Sequence, residues 1–287
     1  MATTQRVVVT GASGKLGQFV VEHLADAGYD VVATDRVALS PGSPGRFTVA
    51  DLTDLGQVIE LLSGVDEGQA ADAVVHLSAI PAPGMATNAA TFRNNVPSTY
   101  NVLRAAQVVG IRNVVTASSE TVLGLPFDVP PPYLPVDEEY DVLPQSTYSL
   151  GKSLEEEMAK HFTRWEPDLK VAALRFSNVM RPDDYARFPS WQDDPAARRW
   201  NLWGYIDGRD GAQAVRLALE ADFTGFEAFV IANADTVMER DSADLAAEEF
   251  PDVPLRRPLV GRETLLSIDK ARRLLNYAPA HTWRPTA

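Results

Sequence analysis

Thr10-Gly11-Ala12-Ser13-Gly14-Lys15-Leu16-Gly17 follows directly on the apolar run Val7-Val8-Val9 and opens an amphipathic stretch that closes at Gly28. That order predicts a buried strand over 7–10 and a helix over 16–27. The glycines are spaced G-x-x-G-x-x-G, in place of the G-x-G-x-x-G of the standard dinucleotide fingerprint. The physics is shared. A residue without Cβ lets the backbone turn sharply and lets a pyrophosphate approach the free N–H groups of the first helical turn, whose dipole favours an anion. Three glycines in seven residues also suit an ordinary strand-to-helix turn, so their setting matters. The next Val-rich run, Val31-Val32-Ala33-Thr34, ends in an acid, Asp35. A carboxylate there accepts hydrogen bonds from ribose hydroxyls and repels a 2′-phosphate, which favours NAD over NADP. Arg36 next to it is a rival holder of such a phosphate. A Walker-type loop is excluded, because the Gly-Lys-Ser/Thr ending is missing.

Further Val- and Ile-rich runs predict strands over 30–34, 46–50, 73–77, 113–117 and 170–175. Helix-length segments over 55–62, 91–109 and 147–165 lie between them. Strands alternating with helices predict an α/β fold, a Rossmann-type doubly wound parallel sheet with its functional loops at the carboxyl ends of the strands. Beyond Arg175 the pattern loosens. Residues 181–203 hold prolines, arginines and Trp191, Trp200 and Trp203 without a period, followed by helices over 208–221, 242–249 and 267–275 and a strand over 226–232. The expected division is residues 1–175 as the dinucleotide-binding domain and 176–287 as a small C-terminal substrate lobe, some of whose elements return to the sheet. The proline-rich stretch 126–135 reads as an ordered surface loop.

The bulk properties set limits. The 287 residues carry a formal charge of −13, which repels phosphate backbones and anionic lipid, so neither nucleic acid nor membrane is an expected partner. No apolar run approaches the roughly 20 residues of a membrane span. No secretion signal is read at Met1–Gln5, and the chain has no cysteine, which fits a cytoplasmic location. The four histidines lack ligand spacing, so no metal is expected.

A second constellation is Tyr148-Ser149-Leu150-Gly151-Lys152. Tyr148 and Lys152 are four apart and share a face of the predicted helix. A phenol with an ordinary pKa near 10 is a weak base at neutral pH, but an ammonium beside it favours the phenolate. Ser118-Ser119, at the end of a predicted strand, could supply a hydroxyl to hold a substrate oxygen.

These motifs together resemble the extended short-chain dehydrogenase/reductase family, whose best-known members are nucleotide-sugar epimerases and dehydratases. Besides the glycine turn and Tyr148-x-x-x-Lys152, the resemblance takes in Asp51-Leu52, His76-Leu77-Ser78-Ala79, Asn95-Val96, Asn101-Val102-Leu103 and Ser118-Ser119-Glu120-Thr121-Val122-x-Gly124. It continues through Leu174-Arg175-Phe176-Ser177-Asn178-Val179, Tyr205-Ile206-Asp207-x-x-Asp210, Asp269-Lys270-Ala271-Arg272 and Leu275-Asn276-Tyr277-x-Pro279. It implies that NAD is held by Gly11, Ser13, Gly14, Lys15, Leu16, Gly17, Asp35, Arg36, Asp51, Leu52, Leu77, Ser78, Ala79, Asn95, Tyr148 and Lys152. The catalytic set it implies is Ser119, Tyr148 and Lys152, with substrate contacts from Ser78, Ser119, Glu120, Asn178 and Arg187.

The implied activity is hydride transfer at a carbinol carbon of a sugar or nucleotide sugar, by an epimerase or a dehydrogenase. The dehydratase branch has an acidic pair after its catalytic hydroxyl residue; here Glu120 is followed by Thr121, which disfavours elimination of water. Residues 184–191 are similar, more weakly, to uronate dehydrogenases, where an arginine holds the sugar carboxylate; Arg187, and secondarily Arg181, are the candidates. Oxidation of a free sugar acid is therefore an alternative, although both arginines also suit pairing with surface acids. A non-catalytic NAD-sensing protein is another, disfavoured by the Tyr/Lys pair. The resemblance also implies a homodimer pairing the helices at 91–109 and 147–165.

Overall fold

The computed structural model describes residues 4–65, 68–127 and 129–284. Its first half alternates strand and helix: β1 (Arg6–Thr10), α1 (Lys15–Asp26), β2 (Asp30–Thr34), β3 (Arg46–Thr48), α2 (Leu55–Ser63), β4 (Ala73–His76), α3 (Asn88–Val109), β5 (Asn113–Ser119), α4 (Thr147–Trp165) and β6 (Lys170–Phe176). There follow β7 (Val179–Met180), α5 (Ala196–Arg199), β8 (Ile206–Asp207), α6 (Gly208–Glu220), β9 (Gly225–Ile231), α7 (Ser242–Glu249) and α8 (Asp269–Leu275). Seven strands form one sheet in the order β3-β2-β1-β4-β5-β6-β9, with every neighbouring pair parallel. Strand order reverses at β1, which pairs with β2 on one side and β4 on the other. Connections leave those two edges toward opposite faces, so a crevice opens at the carboxyl ends beside β1.

The strands are apolar throughout because both sheet faces are covered. Val7, Val9 and Val31 pack with α1 and α6 on one face, through Val20, Leu24 and Val215. Val8 and Val32 point the other way and pack with α2, α3 and α4, through Val58, Val102, Ala106 and Phe162. Helix starts follow local chemistry. Asp54 accepts from Gln57 N ahead of α2, and Ser146 and Ser149 form a reciprocal capping box that fixes where α4 begins, one residue before Tyr148.

Four sequence expectations need correction. β5 runs on to Ser119, beyond residue 117, so both serines are part of the strand. α3 starts earlier than expected, at Asn88, capped by Thr87. In the 126–135 stretch, Phe127 and Leu134 are fully buried, and Leu134 and Val136 bridge to Leu255 and Leu266. That stretch is thus a core-forming strap and not a surface loop; residue 128 lies outside the described residues. Residues 181–203 contain a 3-10 helix over Pro182–Trp191 and α5, and β7 and β8 pair beside them. α6 packs on α1 and β9 extends the main sheet, so one apolar core runs from β1 to α8. Among the described residues no helix is long and apolar enough to cross a membrane.

Candidate active site

The carboxyl ends of β1, β4, β5 and β6 open on a cleft of about 490 Å³. Gly11, Gly14, Lys15, Leu16 and Gly17 form one end of its wall, followed by Leu77, Ser78 and Ala79; Ser119, Glu120, Tyr148, Lys152 and Asn178 line it farther along. The glycines are required by close approach. Gly11 has φ +68°, and a Cβ there would lie 2.6 Å from Ser78 N; a Cβ on Gly17 would lie 2.1 Å from Gly11 O. Gly14 caps α1 without a side chain, leaving the first-turn N–H groups without a side-chain partner.

Asp35 sits at the head of this turn. Its Oδ2 accepts from Ser13 N at 3.0 Å and its Oδ1 from Arg36 N at 2.6 Å. A shallow recess continues past it, walled by Arg36, Leu52, Asn94 and Ser98. Arg36 donates to Asn94 Oδ1 at 2.8 Å and lies 3.9 Å from Asp51, an exposed residue at the rim. A glycine cradle that cannot bear side chains, open helix amides, and a carboxylate leading to a half-apolar recess fit pyrophosphate, ribose and adenine in turn. Asn95 is turned elsewhere: it exchanges hydrogen bonds with the Ile80 backbone and fixes the loop after β4.

Ser119, Tyr148 and Lys152 come together on one stretch of wall. All three are nearly buried. Burial raises the Tyr148 phenol above its ordinary value, while the Lys152 charge and the Ser119 hydroxyl draw it back. Ser119 Oγ accepts from Thr121 N at 3.2 Å and from the Thr121 hydroxyl at 2.9 Å, which orients it. Lys152 Nζ donates to Ala117 O at 2.7 Å and to Glu155 Oε2 at 2.9 Å.

Glu120 is buried beside Ser119. Asn201 Nδ2 donates to its Oε1 at 3.2 Å, and Ser177 and the Asn178 backbone stand beside the carboxyl. Burial pushes this carboxyl up to about 7, against the opposing pull of Ser177, Asn201 and Arg198. Because the folded value lies above the ordinary 4.5, the native state holds a proton that the unfolded chain releases between about pH 4.5 and 7. Native stability then falls across that window and stays lower above it. Glu120→Gln should abolish this slope and gain roughly 3 kcal/mol over the parent at pH 8, with little gain at pH 4.5. Melting both proteins at the two pH values checks it; an equal difference at both would contradict it.

Other expected contacts fall differently. Arg187 is absent from the cleft wall and lies over the Trp191 ring, 5.7 Å from its centroid. Arg181 donates to Gln18, and Lys15 is paired with Asp184 at 2.6 Å, so the 3-10 segment is strapped to α1. Residues that sequence reasoning missed include Glu155 and Asn201; Trp200, one of the three tryptophans of 181–203, lines the cleft. Only Glu155 carried a signal, its i, i+3 spacing from Lys152.

Residues 7–232 match the NAD dependent epimerase/dehydratase family. Among curated proteins, UDP-glucose 4-epimerase 2 of Oryza sativa subsp. japonica is 28% identical over 218 residues, 70% of this chain and 50% of that protein. The chain thus spans about half the length of this relative. Among solved structures, a UDP-galactose 4-epimerase matches at 27% identity with a TM-score of 0.69, covering 97% of this chain and 94% of the other. A mutated uronate dehydrogenase shares the fold, with a TM-score of 0.70 at 22% identity over 98% of this chain and 83% of the other. With its cradle fitted to NAD and a match over most of its length, this chain belongs to the NAD dependent epimerase/dehydratase family.

Proposed function

We propose that the protein oxidises and re-reduces a carbinol carbon of a sugar, and that its substrate is a nucleotide sugar processed as in the 4-epimerases it is similar to. One observation carries the reading: a serine, a tyrosine and a lysine converge on the same cleft wall that begins at the glycine cradle. Bound NAD would supply a hydride acceptor and a positively charged ring. Tyr148 takes the proton of the reacting hydroxyl on its phenolic oxygen, Lys152 favours the phenolate by charge, and Ser119 holds the substrate oxygen in place. Glu120 and Asn178, farther along the wall, contact the rest of the sugar. Residues 1–175 bind the cofactor, and much of 176–287 closes the substrate end.

The position of Arg187 over Trp191, away from the wall, weighs against reading it as a carboxylate receptor and against the free sugar acid as substrate. Incubating the NAD-loaded protein with UDP-glucose, UDP-galactose and free uronates tests the proposal. Interconversion of the nucleotide sugars without net reduced nicotinamide is expected. Accumulation of reduced nicotinamide with a uronate would favour the dehydrogenase, and NAD binding without turnover of any probe would contradict the enzymatic reading.

A homodimer is also proposed. Phe92 and Tyr100 on α3 and Leu150, Leu154 and Trp165 on α4 are large apolar side chains exposed on adjoining helices. Pairing these helices about a two-fold axis would cover them. Light scattering at micromolar concentration should give twice the chain mass; a monomeric mass would contradict it.

A further inference from the structure

Lys152 is held from two sides by groups that serve no other cation. Its Nζ donates to Ala117 O at the end of β5 and to Glu155 one turn farther along α4. The two side chains are 4% and 6% exposed. An ammonium has three protons to donate, so one N–H is left for the cleft that Lys152 lines. Glu155 Oε1 has no hydrogen-bond partner of its own. Burial raises the Glu155 carboxyl, and the Lys152 charge opposes this ahead of Thr99, so carboxylate and ammonium are each other's principal compensation. Thr99 of α3 stands beside Glu155, with its hydroxyl 3.1 Å from His76 Nε2, and His76 Nδ1 lies 2.8 Å from Thr10 Oγ1 at the head of the glycine turn. Burial and the Lys152 charge push His76 down to about 3, so the imidazole is neutral and lends no charge to this cluster.

We propose that Glu155 is a positioning residue that keeps Lys152 charged inside the wall of the cleft and thereby keeps Tyr148 able to give up its proton. The inference rests on the reading of Tyr148 as the reacting group.

The charges that face Tyr148 are Lys152 and Glu155 on its own helix and Glu120 from the turn after β5. Those that face Lys152 are Glu155, Glu156 and Tyr148, with neutral His76 across from it. Glu156 is committed to a bidentate pair with Arg175. Burial by itself would lower the Lys152 ammonium; Glu155, ahead of Tyr148, outweighs this and holds it above its ordinary value. Two effects on Tyr148 then compete when Glu155 loses its charge. The phenol is freed from the repulsion of a nearby carboxylate, and it loses the help of a cation. Lys152 acts on Tyr148 more strongly than Glu155 does, so the loss of the cation wins.

The test needs no substrate. In protein labelled with ¹³C at the lysine ε-carbon, the Lys152 signal should titrate after those of the exposed lysines. In Glu155→Gln, which keeps the shape and an acceptor for Nζ, it should titrate at least about one pH unit earlier. Tyrosinate absorbance, taken as the difference from a matched Tyr148→Phe protein, should appear at higher pH in Glu155→Gln than in the parent. Glu155→Asp, which retains the charge, should restore most of both shifts. Unchanged Lys152 and Tyr148 titrations in Glu155→Gln would overturn the proposal. Should that variant not fold, the parent decides alone: a Lys152 already neutral at pH 8 would overturn it. A failed sugar assignment would silence turnover in every variant and leave these titrations readable.

Discussion

Tyr148→Phe should lower turnover by roughly 10² to 10⁴ while leaving the fold and the affinity for NAD close to those of the parent. The substitution removes one oxygen from a ring that is 7% exposed, so the packing of α4 against the cleft wall is retained. On the proposed mechanism the loss is that of the acceptor for the proton of the reacting hydroxyl, for which buried Ser119 and Lys152 are poor substitutes. Ser119→Ala should cost less, because a neutral hydrogen bond to the substrate oxygen is partly replaceable by water. Turnover on the substrate identified by the sugar screen, with NAD affinity measured by calorimetry on the same preparations, checks the prediction. Full activity in Tyr148→Phe would contradict it.

The second large effect is on stability. Arg175 on β6 grips Glu156 on α4 with two hydrogen bonds, Nε to Oε1 at 2.9 Å and Nη2 to Oε2 at 2.8 Å. Ser118 on β5 adds a third, its hydroxyl donating to Oε1 at 2.6 Å. The pair is 5% and 3% exposed. Removing one partner of such a pair leaves a buried charge without compensation, at a cost of about 3–5 kcal/mol. Arg175→Leu should therefore lose that much, a large share of the roughly 5–15 kcal/mol typical of a folded domain. The double variant with Glu156→Leu should recover part of the loss, since two apolar side chains leave no stranded charge. Denaturant midpoints for the parent, the single and the double variant measure both. A single variant within about 0.5 kcal/mol of the parent would show that the pair contributes little.

Glu155, Glu156 and Glu157 show where the sequence stops being informative. Three consecutive glutamates on a helix look like a solvated face. In the fold, Glu157 is exposed, Glu156 turns inward to Arg175 and Glu155 turns inward to Lys152. Each is 100° around the helix from the next, so adjacent identical residues meet water, a strand and the Lys152 amine of the cleft wall. Spacing could flag Glu155 as a neighbour of Lys152, but only burial makes the contact consequential.

The glycine cradle and the Tyr148–Lys152 pair were legible because each is local: their geometry is set within one turn or one strand end. The sheet was legible for a similar reason, since strands covered on both faces read as unbroken apolar runs. The substrate end was not. Asn201 reaches Glu120 across 81 positions, from a segment with no period to read. Arg187 matched a pattern seen in uronate dehydrogenases, yet the aromatic cluster of Tyr185, Phe188 and Trp191 sets the local packing, and the guanidinium stacks on it. The stretch 126–135 reads as a surface loop because prolines signal a loop without telling whether Phe127 and Leu134 will find a core to enter.

In the proposed mechanism the carbinol hydrogen leaves as a hydride, and Tyr148 handles only the hydroxyl proton. Deuterium placed on the reacting carbinol carbon of the sugar, UDP-glucose labelled at C4 being the first probe, tests this most directly. The predicted result is that turnover places the deuterium in the product sugar or on the nicotinamide and none in the water, and that Tyr148→Phe slows the conversion without altering where the label goes. Loss of deuterium to the solvent during turnover would mean that the protein abstracts a proton from carbon, which rules out hydride transfer at that position.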